Sequence, residues 1–473
     1  MSWTIDEILA ATGGAIAQAG KKRAFGEIIT DSAMAKRGSI FVALKGERLD
    51  GHRFVADAFK RGAACAIVHQ EIAGMVPSGV TTVRVENTLK ALGDLAHYRR
   101  KKLAPKVFAI TGSNGKTTTK EMVAAILEEA ILNGQKLRGK ILKTQGNFNN
   151  LVGLPLTLLG LRPSHKVAVV ELGTNRPGEI QRLAEIAAPD FGIITAVAAA
   201  HLEGLTSLAG VAREKGALFR NLRPGGAIAV NMDDPRVRRL GAAFKGRKIG
   251  YGQGGTVRAE AVQTLGPQGA RFALRFGKRR CRITLRYLGQ HNVTNAVGAA
   301  ALALLAGVSV AAVRRGLQKS QPFAMRMQAH TWRGAAVIND AYNANPASMA
   351  AAVNTLAALN GGGEKIAVLG DMFELGKATS REHQELGKRV AKMRIHRLYL
   401  LGRQAAAVKT GALSGGMNGD RVIIGKDHRD IARQLRSHIK KGDSLLIKGS
   451  RGMRMEKVLS ELKARPLKSG VLE

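Results

Sequence analysis

The chain is poor in cysteine, aromatics and acidic side chains. Cys65 and Cys281 are the two cysteines among 473 residues. They exclude a disulfide framework, and no metal-ligand spacing links them. Both lie in apolar or strand-like surroundings and read as reduced core thiols of a cytoplasmic protein. Aromatics are only 4%, and no platform of interleaved basic and aromatic residues occurs, as base stacking would need. No apolar run approaches the length of a membrane-spanning helix. The first residues lack the basic region and apolar stretch of a signal peptide. A cytoplasmic protein without membrane insertion is expected. No solenoid-period repeat or extended low-complexity tract occurs. Acidic residues number 35 against 74 Lys plus Arg, a net +39. The basic residues are spread along the whole chain, which indicates a solvated cationic surface and no specific nucleic-acid site.

The length suggests about three domains, and 45% hydrophobic content is enough for ordinary cores. Residues 1–84 read as a small α/β unit, with helices over 4–11 (capped by Ser2 or Thr4) and 52–61, and strands over 39–44 and 63–68. Residues 85–320 read as a parallel sheet with helices on both faces. Its strands fall over 167–172, 191–195 and 227–230, and its helices over 177–187, 207–220 and 292–305. An antiparallel insertion is expected over 255–288. Residues 321–473 alternate again, with strands at 335–339, 365–369, 397–401, 421–424 and 444–447. The fold class is α/β in three domains: a central P-loop parallel-sheet domain flanked by a small N-terminal α/β domain and a C-terminal Rossmann-like domain.

The richest segment is Val107-Phe-Ala-Ile-Thr-Gly-Ser-Asn-Gly-Lys-Thr-Thr-Thr-Lys120. A β-type run enters a Gly-rich turn, and helical spacing follows (Met122, Val123, Ile126, Leu127). Gly112 and Gly115 let backbone N–H groups converge on one concavity, where a helix N-terminus adds partial positive charge. Lys116 can reach outer phosphates and the Thr117 hydroxyl can ligate Mg²⁺. Only Ser113 and Asn114 separate the glycines, where the common pattern has four residues. The loop predicts nucleotide triphosphate chemistry.

Glu171 ends an apolar strand, where it either completes Mg²⁺ coordination with Thr117 or is an exposed strand-end carboxylate. His201 follows the next strand, and a metal-ligand role is weak from spacing alone. Lys215, inside a helical pattern, reads alone as a surface lysine. Asn295 offers an amide to an adenine edge, unless Asn292 or Thr294 merely caps that helix. Asp340 can bind ribose hydroxyls, in a polar cluster with Tyr342 that ends at Pro346 in the first turn of the next helix. Residues 446–453 form another strand-to-helix turn suited to phosphate or carboxylate.

Taken in order, these segments resemble the bacterial Mur ligases of peptidoglycan synthesis. The resemblance runs through Thr111-Gly-Ser-Asn-Gly-Lys-Thr-Thr-Thr-Lys120, Gln145-Gly-Asn-Phe-Asn-Asn150, Glu171-Leu-Gly-Thr-Asn175, Ala200-His-Leu-Glu-Gly204, His291-Asn-Val-Thr-Asn295, Asp340-Ala-Tyr-Asn-Ala-Asn-Pro346, Gly370-Asp-Met-Phe-Glu-Leu-Gly376 and Lys448-Gly-Ser-Arg451. It implies a monomeric ATP- and Mg²⁺-dependent ligase that activates the terminal carboxylate of UDP-MurNAc-tripeptide as an acyl phosphate and passes it to the amine of D-Ala-D-Ala. The ligase that adds the third amino acid is the near alternative, but its typical Asp-Asn-Pro-Arg is replaced by Asn343-Ala-Asn-Pro346. A basic P-loop ATPase acting on nucleic acid is the distant one.

The resemblance also carries roles. Lys116 would stabilise the transferring phosphoryl group. Thr117 and Glu171 would hold one Mg²⁺; His201 and a carbamoylated Lys215 would serve a second. Gly112, Ser113, Asn114, Gly115, Lys116, Thr117, Thr118, Asn295, Arg326 and Asp340 would contact nucleotide. Substrate contacts are expected at Ser32, Lys45, Gly46, Asn147, Asn149, Asn150, Tyr342, Asn343, Asn345 and Ser450. Two departures stand out: Ala33 follows Asp31-Ser32 where the family has arginine, and Arg37 replaces a proline.

Overall fold

The computed structural model describes residues 2–72, 76–359 and 361–464. In the N-terminal unit the helix cap falls on Thr4. Its hydroxyl accepts Glu7 N–H, and the Glu7 carboxylate accepts Thr4 N–H in return. Helix Ile5–Thr12 follows. The adjoining sheet has five strands in the order Ala15–Gln18, Thr81–Arg84, Cys65–Val68, Ile40–Val42 and Ile28–Ile29. The helix expected over 52–61 is divided. A 3₁₀ turn, Gly51–Phe54, starts where the Asp50 carboxylate accepts His52 N–H, and the α-helix is Val55–Lys60.

The central unit is built on the phosphate-loop strand β1 (Lys106–Thr111), which feeds helix α1 (Lys116–Glu128). Strands β2 (Val167–Glu171) and β3 (Phe191–Ile194) flank β1 in parallel. Burial on both faces explains why Val107–Ile110 of β1 are apolar without interruption. Phe108 and Ile110 join a core with Met122, Val123 and Ile126 of α1. Val107 and Ala109 join the opposite core, with Leu183 and Leu218. The Phe108 and Phe191 rings stack at 4.7 Å between centroids, within the range that adds to plain area burial. The strands over 255–288 do not form a separate insertion. They run antiparallel as expected, but Val257 pairs with Tyr251, so they extend the central sheet to nine strands. Helix α2 (Leu208–Arg220) covers one face and α3 (Gln290–Leu305) the other.

The C-terminal sheet has six strands. Strand β4 (Ala335–Asp340) leads into α4 (Pro346–Ala357), and β5 (Lys365–Gly370) and β6 (Ser444–Lys448) lie beside one another. The edge strand Gln328–Trp332 is antiparallel to β4; the others are parallel. The parallel strands point their C-terminal ends toward the phosphate loop, the end at which open α/β sheets bind ligands. No described helix is long and apolar enough to cross a membrane.

Candidate active site

The phosphate loop is shaped by close approach as much as by turning. Gly112 has φ 149°, and a Cβ there would fall 1.9 Å from Thr195 Oγ1. Gly115 has φ 80°, and a Cβ would fall 2.4 Å from Asn295 Oδ1. Only glycine fits either position. Ser113 fastens the loop to the β3 exit: its N–H donates to Ala196 O (2.8 Å) and its hydroxyl to Ala198 O (2.9 Å). Lys116 Nζ donates to Gly112 O at 2.7 Å. Burial holds its ammonium below the ordinary lysine value; nearby Glu171 opposes that shift and Arg326 reinforces it.

Glu171 is 2% exposed, so it is no exposed strand-end residue. Its Oε2 accepts the Thr117 hydroxyl and its Oε1 the Asn149 amide, both at 2.8 Å. Its backbone N–H donates to Thr144 Oγ1, while buried Lys120 donates to Thr144 O. The carboxylate is thereby fixed at the loop's edge. Helix α1 aims Thr117 at it because Thr117 lies in the first turn.

The loop faces a cleft of about 300 Å³ whose far wall belongs to the C-terminal unit. Residues 113–118, Asn295, Arg326, Asp340, Asn343 and Asn345 line it, whereas Gly112 and Tyr342 do not. The Arg326 guanidinium lies 4.1 Å over the Tyr342 ring. Its Nε is buried without a hydrogen-bond partner, an arrangement suited to an incoming anion. Asn114 and Asn345 exchange amide hydrogen bonds of 3.2 and 2.8 Å across the cleft. Asn295 donates to Asn292 Oδ1. The capping alternative fails for Asn292 and Thr294, because α3 begins at Gln290 with Gly289 as its cap.

Lys215 is not a surface lysine. It is 1% exposed. Val211, Glu214, Lys215 and Leu218 fall at i, i+3, i+4 and i+7 on the buried stripe of α2. Glu214 accepts Gly178 N–H (2.8 Å) and Ile180 N–H (2.7 Å), capping the neighbouring helix Glu179–Ala187. No described residue hydrogen-bonds to the Lys215 ammonium. Desolvation, then the Lys116 charge, hold it well below the ordinary lysine value, against Glu214 and Glu171. His201 does not line the cleft. It has φ 54°, with Nδ1 2.5 Å from Glu374 Oε2 of the C-terminal unit.

The remaining candidates scatter. Ser32 opens a 3₁₀ turn of the N-terminal unit, and Lys45 and Gly46 lie on its exposed loop, outside this cleft. Asn147 is exposed. Asn150 Oδ1 accepts Val152 N–H and Gly153 N–H at the start of helix Gly153–Leu159. Buried Ser450 accepts Phe373 N–H. Cys65 is buried, its thiol pushed up to about 12 by desolvation, whereas Cys281 is only partly buried and not fully core.

Sequence reasoning quoted Lys448 and His291 within motifs but gave neither a role of its own. Lys448 ends β6 in register with Asp340 and is 2% exposed. Its Nζ donates to Asp340 Oδ2 at 2.6 Å and Asn343 O at 2.8 Å. The signal was a charge closing an apolar strand, as with Glu171. His291 lines the cleft one turn before Asn295.

Fold and cleft together define a multidomain α/β protein whose glycine-rich phosphate-type loop faces a cleft between two sheets. Three family models match: the Mur ligase family catalytic domain at residues 26–100, the Mur ligase middle domain at 110–303 and the Mur ligase glutamate ligase domain at 325–451. The chain belongs to the Mur ligase family. It is 35% identical to the UDP-N-acetylmuramoyl-tripeptide–D-alanyl-D-alanine ligase of Bacillus subtilis, over 93% of each chain. It is 34% identical to the Escherichia coli enzyme of that name, over 92% of this chain and 93% of that one. A crystal structure of MurF from Acinetobacter baumannii superposes with TM-score 0.89 at 34% identity, covering 98% of this chain and 99% of that one. MurF ligase from Thermotoga maritima in complex with ADP gives 0.82 at 26% identity, covering 92% and 96%.

Proposed function

We propose that this chain is an ATP-dependent ligase that joins D-alanyl-D-alanine to UDP-N-acetylmuramoyl-tripeptide. One observation carries this reading: the phosphate loop faces Arg326, Asp340 and Lys448 across one cleft, in a chain aligned nearly end to end with ligases of that name.

The chemistry follows from charge. The tripeptide carboxylate attacks the γ-phosphorus, and the bond from phosphorus to the ADP oxygen breaks. The dipeptide amine then attacks the acyl carbon; the C–N bond forms, phosphate leaves and the amine loses a proton. Two anions meet in the first step, so positioning and neutralisation are the main tasks. Lys116 swings from Gly112 O to the phosphates, and Arg326 directs its free Nε to the same anion. Asp340, held by Lys448, accepts ribose hydroxyls. Asn149 and its loop present the sugar-peptide beside Glu171.

A divalent cation fits the Thr117–Glu171 pair. No three described His, Cys, Asp or Glu side chains cluster at ligand spacing. A hydroxyl and one carboxylate suit Mg²⁺, which keeps waters and phosphate oxygens as its other ligands. Bound there, it would neutralise charge on the phosphate oxygens. Lys215 fits a metal role only as a carbamate: once the ammonium has lost a proton, the amine adds to CO₂ and releases a second proton, leaving an anion where a cation stood. We place the protein in the cytoplasm as a monomer, with domain boundaries near residues 84 and 320.

A phosphate-release assay across nucleotide-sugar and acceptor pairs tests the reading. Release is expected with ATP, Mg²⁺, UDP-MurNAc-tripeptide and D-Ala-D-Ala together. L-lysine or diaminopimelate should not replace the dipeptide. Release driven by polynucleotide and indifferent to the nucleotide sugar overturns it.

A further inference from the structure

Three strands at the far end of the central sheet, Val257–Thr264, Ala270–Phe276 and Arg279–Leu285, carry a face that the cleft does not use. Phe272, Leu274, Ile283 and Leu285 turn into the core shared with α1 and α3. The intervening positions put Arg271, Arg275, Arg280 and Arg282 on the opposite side. The register sets Arg258 across from Arg275 and Glu260 across from Ala273 on that same side. Five guanidinium groups therefore share these paired positions with one carboxylate. Glu260 takes ion pairs from Arg258 (3.2 Å), Arg275 (3.2 Å) and Arg280 (3.0 Å). No described carboxylate lies within ion-pair distance of Arg271 or Arg282. Arg271, Arg280 and Arg282 border an open depression of about 430 Å³.

Stability does not account for this face. Arg275 stands directly across from Arg280, and like charges so placed are destabilising. Guarding an open sheet edge would explain arginines on the last strand, but Arg258, Arg271 and Arg275 sit on the two strands inside it. Guanidinium forks match phosphate oxygens. Here they spread over three strands about 4.8 Å apart, in two dimensions, and no aromatic ring stands among them on which a base could stack. Such an array complements a plane of phosphates better than a single backbone. We propose that this arginine face is a peripheral docking surface for an anionic lipid bilayer, engaging headgroup phosphates with no segment inserted. The face lies four to six strands from β1, about 19–29 Å along the sheet. Docking and turnover are therefore separable, and the inference stands apart from the ligase reading.

The test is co-sedimentation of the full chain with vesicles of phosphatidylcholine alone or mixed with phosphatidylglycerol, at about 0.1 M salt. The wild type should bind the mixed vesicles and not the neutral ones. A basic side chain near an anionic leaflet contributes about fivefold to partition. Arg271→Gln, Arg280→Gln and Arg282→Gln together should therefore weaken binding by roughly 100-fold. Lysine at the same three positions keeps the charge and should stay within about fivefold of the wild type. A control that removes three exposed lysines of the C-terminal unit (Lys392→Gln, Lys426→Gln, Lys440→Gln) should also stay within about fivefold. Melting temperature and phosphate release should match the wild type throughout. Equal losses in the control and the arginine triple, or equal losses with lysine and glutamine, overturn the inference. So does wild-type binding that is absent or no weaker on neutral vesicles. Tighter binding to double-stranded RNA than to mixed vesicles, lost in the same triple, assigns the face to nucleic acid and overturns it as well. None of these results bears on ligation, which the phosphate-release assay reads separately.

Discussion

Replacing Lys448 by methionine removes one charge from the far wall of the cleft while keeping most of the volume. The ammonium is 2% exposed and its partner Asp340 13%. After substitution Asp340 keeps one bond, from Met327 N–H at 3.0 Å, and the Asn343 carbonyl loses its donor. Breaking a buried pair by removing one partner costs about 3–5 kcal/mol. Partial exposure of Asp340 places this case near 3. At about 2–4 °C per kcal/mol for a domain of 150–250 residues, the C-terminal transition should fall by roughly 6–12 °C. Scanning calorimetry without nucleotide or metal reads this directly. Adding Asp340→Asn removes the stranded charge and should restore at least half of the loss, because an amide is cheaper to leave in place than a carboxylate. A Lys448→Met loss below about 1 kcal/mol, or no recovery in the double variant, refutes the assignment of this pair as the wall's electrostatic anchor.

Lys116→Ala should cut phosphate release by about a thousandfold or more, with an unchanged circular dichroism spectrum, because its one described hydrogen bond is to Gly112 O. Lys215→Ala should abolish turnover likewise, and small carboxylic acids should restore part of it; absence of any rescue counts against a carbamate. His291 should make stability pH-dependent. Burial holds its ring below the ordinary 6.5, so the unfolded chain binds a proton that the folded one refuses. The stability it confers is full above 6.5 and is lost as pH falls through that value toward the lower folded one. Thermal melts from about pH 8 to about 5 should show the fall, and His291→Asn should flatten it.

How far the sequence could be read depended on whether a residue's meaning was local. The phosphate loop was legible because strand, glycines, lysine and helix are contiguous, and its glycines turned out to be needed for contact with Thr195 and Asn295. Glu171 was legible as a charge on an apolar strand, yet its burial depended on Asn149 and Thr117 arriving from elsewhere. Lys215 read alone as a surface lysine because a lysine in a helix is normally solvated, and only the resemblance gave it a role; its burial comes from the packing of the Val211–Leu218 stripe. Lys448 was visible as a charge closing an apolar strand, but its pairing with Asp340 needed the β4–β6 register, which no local pattern encodes. The short edge strands Gln328–Trp332 and Ala15–Gln18 escaped because alternation over so few residues is weak, and tertiary pairing decides them. The hairpins after Tyr251 were legible as antiparallel, while their continuity with the parallel sheet rests on a single residue pair.

The positive charge divides into two populations with different physics. Most of it is solvated, and charges separated by more than the Debye length of about 10 Å at 0.1 M salt scarcely sense one another. Such charges influence encounter with anionic substrates, not the barrier to phosphoryl transfer. Lys116, Lys215 and Lys448 belong to the other population. They are buried or held at the cleft, and burial itself pulls Lys116 and Lys215 below the ordinary value. A buried cation is tolerated only beside an anion: Glu171 stands by the phosphate loop, Glu214 beside Lys215 and Asp340 beneath Lys448. Three anions are still too few for the four cations gathered here once Arg326 is counted. That local deficit of negative charge is what triphosphate and a carboxylate substrate would supply. On the proposed reading the buried charges, and not the surrounding surface, would select polyanions for this cleft.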